Sequence, residues 1–159
     1  MSRRPLHNNK IRDGVNSGII DMIDRHAYEC YYVKRIPDKK CTCIKHETKQ
    51  ANPDCPKCLG TGCKIEIGTI WTAAQDTKLP PTFRSENFVV VRNYYMQNFP
   101  GLAEEDYIID NGFAFKIFEI KEHISLEGTI PYHMMNASKK KFDSDLFMKN
   151  FNKIINDRK

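Results

Sequence analysis

Five of the six cysteines in this 159-residue chain lie between positions 41 and 63. They run Cys41-Thr42-Cys43, then eleven residues, then Cys55-Pro56-Lys57-Cys58-Leu59-Gly60-Thr61-Gly62-Cys63. The stretch is otherwise polar, so burial of small apolar side chains does not account for this density. Two thiolate pairs joined by a closed loop supply the four soft ligands that a tetrahedral structural Zn2+ takes. Gly60 and Gly62 let the backbone fold tightly under such an ion. The expectation is a knuckle over residues 39–64, held by Cys41, Cys43, Cys55 and Cys58, with the ion contributing on the order of 10 kcal/mol to its order. Cys63 and His46 are spare ligands. If Cys41 faces away, His46 completes a set of three cysteines and one histidine, and Cys63 serves only if the Gly-Thr-Gly turn curls back. Four available sulfurs close the shell, which argues against a catalytic zinc with a water-bearing position.

Compartment supports metal over disulfides. Met1-Ser2-Arg3-Arg4-Pro5 leads into Leu6-His7-Asn8-Asn9, where the apolar core of a signal peptide would begin. No apolar run approaches the ~20 residues that span a bilayer, so no membrane role is expected. Synthesis in the cytoplasm keeps thiols reduced. The formal net charge of +5 is too mild to indicate a nucleic-acid binder by itself. It is uneven, however, gathering in Arg3, Arg4, Lys10 and Arg12 and again in Lys139, Lys140, Lys141, Arg158 and Lys159. Arg3, Arg4, Lys139, Lys140 and Lys141 suit contact with phosphate or an acidic partner.

Periodicity organises the rest. Residues 1–12 read as an unstructured basic arm, and residues 13–159 as one β-rich domain. Val15, Ile19, Met22, Ile23 and His26 share one face of a helix that Asp13 is placed to cap. Residues 28–36 (YECYYVKRI) form an aromatic strand containing Cys30 as a small core residue, and Pro37 to Lys40 form a turn. Residues 64–72 alternate, with Ile65 and Ile67 on one face, and residues 75–84 form a loop. Residues 87–97 are the longest strand candidate, with the first half covered on both faces. Asn111-Gly112 marks a tight hairpin between residues 107–109 and 113–120, with a bulge near Ile117 where the apolar face switches. A strand at 129–135 follows. A helix at 143–157 carries the stripe Phe147, Phe151, Ile154 and Ile155, which suits either its own sheet or a neighbouring subunit. The fold class is α+β, mainly β with flanking helices. The body is a small antiparallel β-barrel or sandwich with an inserted four-cysteine zinc knuckle.

The chain carries no Walker loop, no Gly-x-Gly-x-x-Gly and no paired-carboxylate constellation, and no Cys–His pair is suggested by spacing. A non-enzymatic role is expected. Cys55-x-x-Cys58-x-Gly60-x-Gly62 is similar to one zinc half-site of DnaJ-type chaperones, without that family's four-repeat array. A broader likeness joins the N-terminal helix, the aromatic strand ending in Arg35, Cys-x-Cys, a loop ending Asn52-Pro53-Asp54, Cys-x-x-Cys-Leu-Gly-Thr-Gly and the β-rich remainder. Together these resemble the zinc-knuckle neck proteins of tailed bacteriophages. The segment from Asp106 to Ile117 (DYIIDNGFAFKI) resembles the hairpin of phage head-completion and head–tail joining proteins.

The resemblance implies a structural virion protein, made in the host cytoplasm, that forms a homo-oligomeric ring in the neck between the portal or adaptor and the tail. It implies Cys41, Cys43, Cys55 and Cys58 as ligands, since relatives more often carry an aromatic at the position of Cys63. It also implies that the basic ends meet acidic neighbours or, without sequence specificity, packaged DNA. Two other readings stand beside it. One is a zinc-ribbon nucleic-acid-binding regulator, suggested by Lys39, Lys40, Lys45 and Lys57. The other is a rubredoxin-like iron protein.

Overall fold

A computed structural model of the chain describes residues 7–45, 47–76, 91–124, 128, 130–139 and 144–158. The elements run α1 (His7–His26), β1 (Tyr28–Lys40), β2 (Cys63–Asp76), β3 (Val91–Met96), β4 (Tyr107–Asp110), β5 (Phe113–His123), β6 (Tyr132–Lys139) and α2 (Ser144–Asn156). Every strand pairing is antiparallel. The order is β1-β2-β3-β6-β5-β4, and β4 pairs back onto β1, so the sheet closes into a ring. Each strand therefore has a hydrogen-bonded neighbour on both sides. The α+β class expected from the sequence is what the chain forms.

Side-chain alternation sorts the apolar residues into three layers. Cys30, Ile70, Tyr94, Met96, Ile108, Phe115, Ile117, Met135 and Ala137 form one buried cluster with Leu102. On one outer face Val33, Tyr107, Ile109 and Ala114 pack against Phe147, Met148 and Phe151 of α2. On another, Ala73, Tyr95 and Tyr132 pack against Ile23 of α1, with Ile19, Ile20 and Met22 around it. The strand β4 is buried at all four positions because Ile108 joins the first cluster while Tyr107 and Ile109 lie under α2. The apolar stripe of α2 thus packs on its own sheet. No helix among the described residues is long and apolar enough to cross a membrane.

Several boundaries differ from the sequence reading. The helix α1 begins at His7, so residues 7–12, expected in the unstructured arm, are helical. No glycine or proline interrupts that stretch, and Ile11 continues the spacing of Val15 and Ile19 one turn upstream. Arg3 and Arg4 lie outside the described residues. The turn expected at Pro37 to Lys40 is instead a bulge within β1, between the pairs Ile36 with Lys64 and Lys40 with Cys63. Pro37 has no N–H to give a ladder, and a bulge does not require one. Strand β2 runs on to Asp76, into the expected loop. In β3 the fully buried part is the second half, Tyr94 to Met96, and residues 87–90 lie outside the described set. Strand β6 starts at Tyr132 and reaches Lys139, because β3 and β5 both pair with it there. Lys139 holds its Nζ 3.4 Å from the centre of the Phe113 ring. Lys140 and Lys141 lie outside the described residues.

The hairpin forms as expected. Asn111 and Gly112 have φ of 48° and 80°, the two positive values of a type I′ turn. The β5–β6 register slips between Ile117 and Glu119, which turns Phe118 outward at 47% exposure.

Two buried carboxylates went unread in the sequence. The Asp110 side chain is 1% exposed. Its Oδ2 accepts hydrogen bonds from the Tyr28 hydroxyl at 2.8 Å, the Tyr94 hydroxyl at 3.1 Å and the Arg92 guanidinium at 2.8 Å. Arg92 reaches Asp76 as well, at 2.6 Å, and lies over the Phe115 ring. Asp106 accepts from the backbone N–H of Arg35 and of Ala103, both at 2.8 Å, which ties the loop before β4 to β1. Parity was the available signal, since Asp110 falls in phase with Ile108. Replacing Asp110 with Ala leaves two tyrosine hydroxyls without their carboxylate and Arg92 with Asp76 alone, and is expected to cost about 2–4 kcal/mol. Urea denaturation of the variant measures this, and a loss under about 1 kcal/mol would show the cluster to be idle.

Candidate metal centre

The knuckle begins where the β1–β2 ladder ends. Lys40 pairs with Cys63, and one step further the Cys41 N–H donates to the Gly62 carbonyl at 2.9 Å. The chain then turns through Ile44, whose N–H meets the Cys41 carbonyl at 3.3 Å. Asn52-Pro53-Asp54 brings it back: Asn52 Oδ1 accepts from the Asp54 N–H at 3.0 Å, and the Asn52 carbonyl from the Cys55 N–H at 3.1 Å. Thr61 closes the second half, with its N–H and hydroxyl both on the Cys58 carbonyl.

These turns gather the Sγ atoms of Cys41, Cys43, Cys55 and Cys58 within 4.8 Å of one another. The two pairs interleave, with Cys41 3.8 Å from Cys55 and Cys43 3.5 Å from Cys58. Four sulfurs placed about 2.3 Å from a central ion form a tetrahedron with edges of about 3.8 Å. The donor set therefore fits a metal ion in both chemistry and spacing. Cys55 and Cys58 are buried, while Cys41 and Cys43 are half-buried. No other group of three or more metal-ligating side chains comes together among the described residues. Cys63 heads β2 and stands apart from the four, His46 lies outside the described residues, and Cys30 is buried in the core as the sequence suggested.

No protein-family model matches the chain, and no curated protein is significantly similar to it. The reading of the centre accordingly rests on its geometry.

Both knuckle glycines are required by the backbone. Gly60 and Gly62 have φ of 76° and 77°. A Cβ on Gly60 would sit 3.0 Å from the Pro53 carbonyl oxygen, and one on Gly62 would sit 3.1 Å from the Ala51 Cβ. Leu59 is also left-handed, at φ 53°, which is costly for a bulky side chain by about 1–2 kcal/mol. Its side chain is 2% exposed and lies in the cluster of Val33, Tyr107, Phe147 and Phe151. Burial of a leucine contributes about 2 kcal/mol, enough to offset the strain. Leu59 is thus the peg that seats the knuckle on the sheet and α2. The sequence signal was a large apolar residue, one of two with Ile44, inside an otherwise polar loop.

Burial pushes Cys58 up to about 12, with the neighbouring Cys43, Cys55 and Cys41 adding to the rise against the Gly62 N–H. Cys43 is also raised, chiefly by burial. Burial raises Cys55 too, but the N–H groups of Cys58 and Lys57, with the thiols of Cys43 and Cys58, outweigh it and bring the group to about 7. One sulfur is therefore poised to ionise near neutrality, while Cys43 and Cys58 hold protons that an incoming ion must displace. Inside the ring, burial and then the Asp110 charge push Cys30 up to about 12, so that thiol stays neutral and inert.

Since a bound ion replaces protons, its affinity rises with pH and is lost on acidification. Competition with a chromophoric chelator is expected to show at least about a tenfold gain in apparent affinity per pH unit between pH 6 and 8. A flat profile would exclude thiolate ligation. Leu59→Ala is expected to lower stability by about 2–4 kcal/mol while leaving metal stoichiometry intact, as read by denaturation and metal analysis of the same sample.

Proposed function

We propose that the chain is a non-enzymatic structural protein of a tailed-phage particle. In this reading it forms a homo-oligomeric ring in the neck, between the portal or adaptor and the tail. Its body is a small β-barrel, and Cys41, Cys43, Cys55 and Cys58 bind one structural Zn2+. The observation that carries the reading is the seating of the knuckle: it continues the β1–β2 ladder at both ends and is pinned to the sheet by Leu59. Metal-binding energy spent on such an element produces a rigid projection, which suits contact with a neighbour better than it suits catalysis.

The closed sheet supports the same view. Every strand is paired on both sides over part of its length among the described residues, which leaves side-chain faces and projections as the main surfaces for contact. Large aromatic side chains are available outside, with Trp71 65% and Phe113 43% exposed. Four thiolates suit Zn2+, which takes a closed tetrahedral shell. The phage assignment itself comes from the likeness of Cys-x-Cys, Cys-x-x-Cys-Leu-Gly-Thr-Gly and the Asn-Gly hairpin to neck and head-completion proteins. In this reading Arg3, Arg4, Lys139, Lys140 and Lys141 meet acidic neighbours or packaged DNA.

Mass spectrometry of purified particles is expected to find the chain at the stoichiometry of a structural ring, with one zinc per copy by elemental analysis. Absence from particles overturns the neck assignment, and a coloured iron protein overturns the zinc. Cys55→Ser is expected to lose the metal, retain most of the sheet by circular dichroism, and leave heads and tails unjoined. Normal metal content together with normal assembly in that variant would refute the reading.

A further inference from the structure

Beside the metal centre, a groove of about 580 Å3 is lined by Lys40, Cys41, Thr42, Ile44, Lys45 and Lys49. Three of its six lining residues are cationic and none is acidic. All three lysines are exposed. The backbone holds them in place: the Lys49 N–H donates to the Lys45 carbonyl at 2.9 Å and the Lys45 N–H to the Gln50 carbonyl at 3.3 Å, while Lys40 ends the β1 ladder. Lys49 adopts φ 53°, a left-handed conformation that glycine or asparagine would take at lower cost. A lysine at that position directs a charge to the groove at the expense of local strain.

We propose that this groove binds the sugar-phosphate backbone of a nucleic acid, with Lys40, Lys45 and Lys49 as the phosphate contacts. A divalent ion within four thiolates leaves an excess of two negative charges nearby, and the three lysines outnumber it. A nucleic acid presents charge at short regular intervals, about one per 1.7 Å of duplex axis, so some phosphates meet the lysines in any register. An acidic peptide must instead match their spacing. Ile44 and the methyl of Thr42 add an apolar surface on which sugars can rest. The chain's net charge of +5 adds a long-range attraction to the same polyanion. Because point-charge contacts carry no base readout, the binding is indifferent to sequence. Such binding is independent of the neck reading, since it belongs to the isolated chain and not to its place in a particle.

The experiment uses the zinc-loaded full chain and a fluorescein-labelled, mixed-sequence single strand of about 30 nucleotides, followed by anisotropy over a series of NaCl concentrations. The wild type is expected to lose affinity with salt along a log–log slope of magnitude about 2–3. The triple variant Lys40→Gln, Lys45→Gln, Lys49→Gln is expected to bind at least about tenfold more weakly, with the slope reduced by about two or more. Arg25→Gln on α1, which packs beside Ala73 at the end of β2 away from the knuckle, is expected to stay within about twofold of wild type, as distant surface charge contributes little once screened. The triple arginine variant is expected to restore binding, because charge and not side-chain shape is what the groove supplies. Equal binding by the glutamine triple variant and wild type overturns the proposal, as does an equal loss in the Arg25 variant. So does tighter capture of polyglutamate than of the oligonucleotide. If the glutamine variant loses metal and the arginine variant fails to restore DNA binding, the lysines serve the thiolate cluster and the proposal also falls.

Discussion

Closure of the sheet depends on its shortest ladder. Strand β4 meets β1 through three residue pairs, Tyr31 with Ile109, Tyr32 with Ile108 and Val33 with Tyr107, whereas β1 meets β2 through ten. A ladder that short does not hold two strands by itself. The seam is reinforced in two places. Within the sheet, Asp110 at the end of β4 accepts from Tyr28 on β1 and from Tyr94 and Arg92 on β3, which joins strands that do not pair with one another. Across the outer face, Phe147, Met148 and Phe151 of α2 cover Val33, Tyr107 and Ile109. The ring remains closed because its weakest junction is stitched on one side and roofed on the other.

The knuckle joins this same construction. Leu59 enters the cluster under α2 beside Val33 and Tyr107, the two members of one seam pair. Asn150 of α2 reaches the Asp54 carbonyl from above, at 3.4 Å. A metal bound by the four thiolates would therefore also fix a side chain that packs on the β1–β4 junction. Metal and sheet are coupled through one leucine, held in a left-handed conformation by Gly60 beyond it and by Cys58 before it. The coupling runs in both directions, since a loosened seam removes the socket into which Leu59 fits.

Much of this was legible in the sequence, and the reasons differ between elements. The thiolate quartet was readable because spacing alone confines four sulfurs to a short loop. The Asn111-Gly112 hairpin was readable because only a few residue pairs tolerate two positive φ values in succession, and the bulge at Phe118 because an apolar alternation broke there. Strand ends were not readable. Pro37 marks a turn in most contexts, and only the continued ladder from Lys40 to Cys63 makes it a bulge. The start of α1 was missed because the basic charge of residues 7–12 suggested an arm, whereas nothing in them forbids a helix. Asp106 and Asp110 were missed for a deeper reason. A carboxylate beside a turn looks solvated, and its burial depends on partners at Arg35, Tyr28, Arg92 and Tyr94, distant in the chain and brought together only by closure.

Closure also determines how such a molecule can meet others. A ring of strands has used many of its backbone donors and acceptors on itself, so partners are engaged largely by side chains standing on its faces or by segments projecting from it. With an ion on its four thiolates, the knuckle would be a projection held by ligation more than by an apolar core, so its outer residues are free to be charged. Lys40, Lys45 and Lys49 use that freedom, and a core-stabilised loop of the same size would have had to turn apolar side chains inward at some of these positions. The metal, in this view, does more than replace a core. It releases the surface of a small loop from the demands of folding, and on this chain the released surface carries lysines.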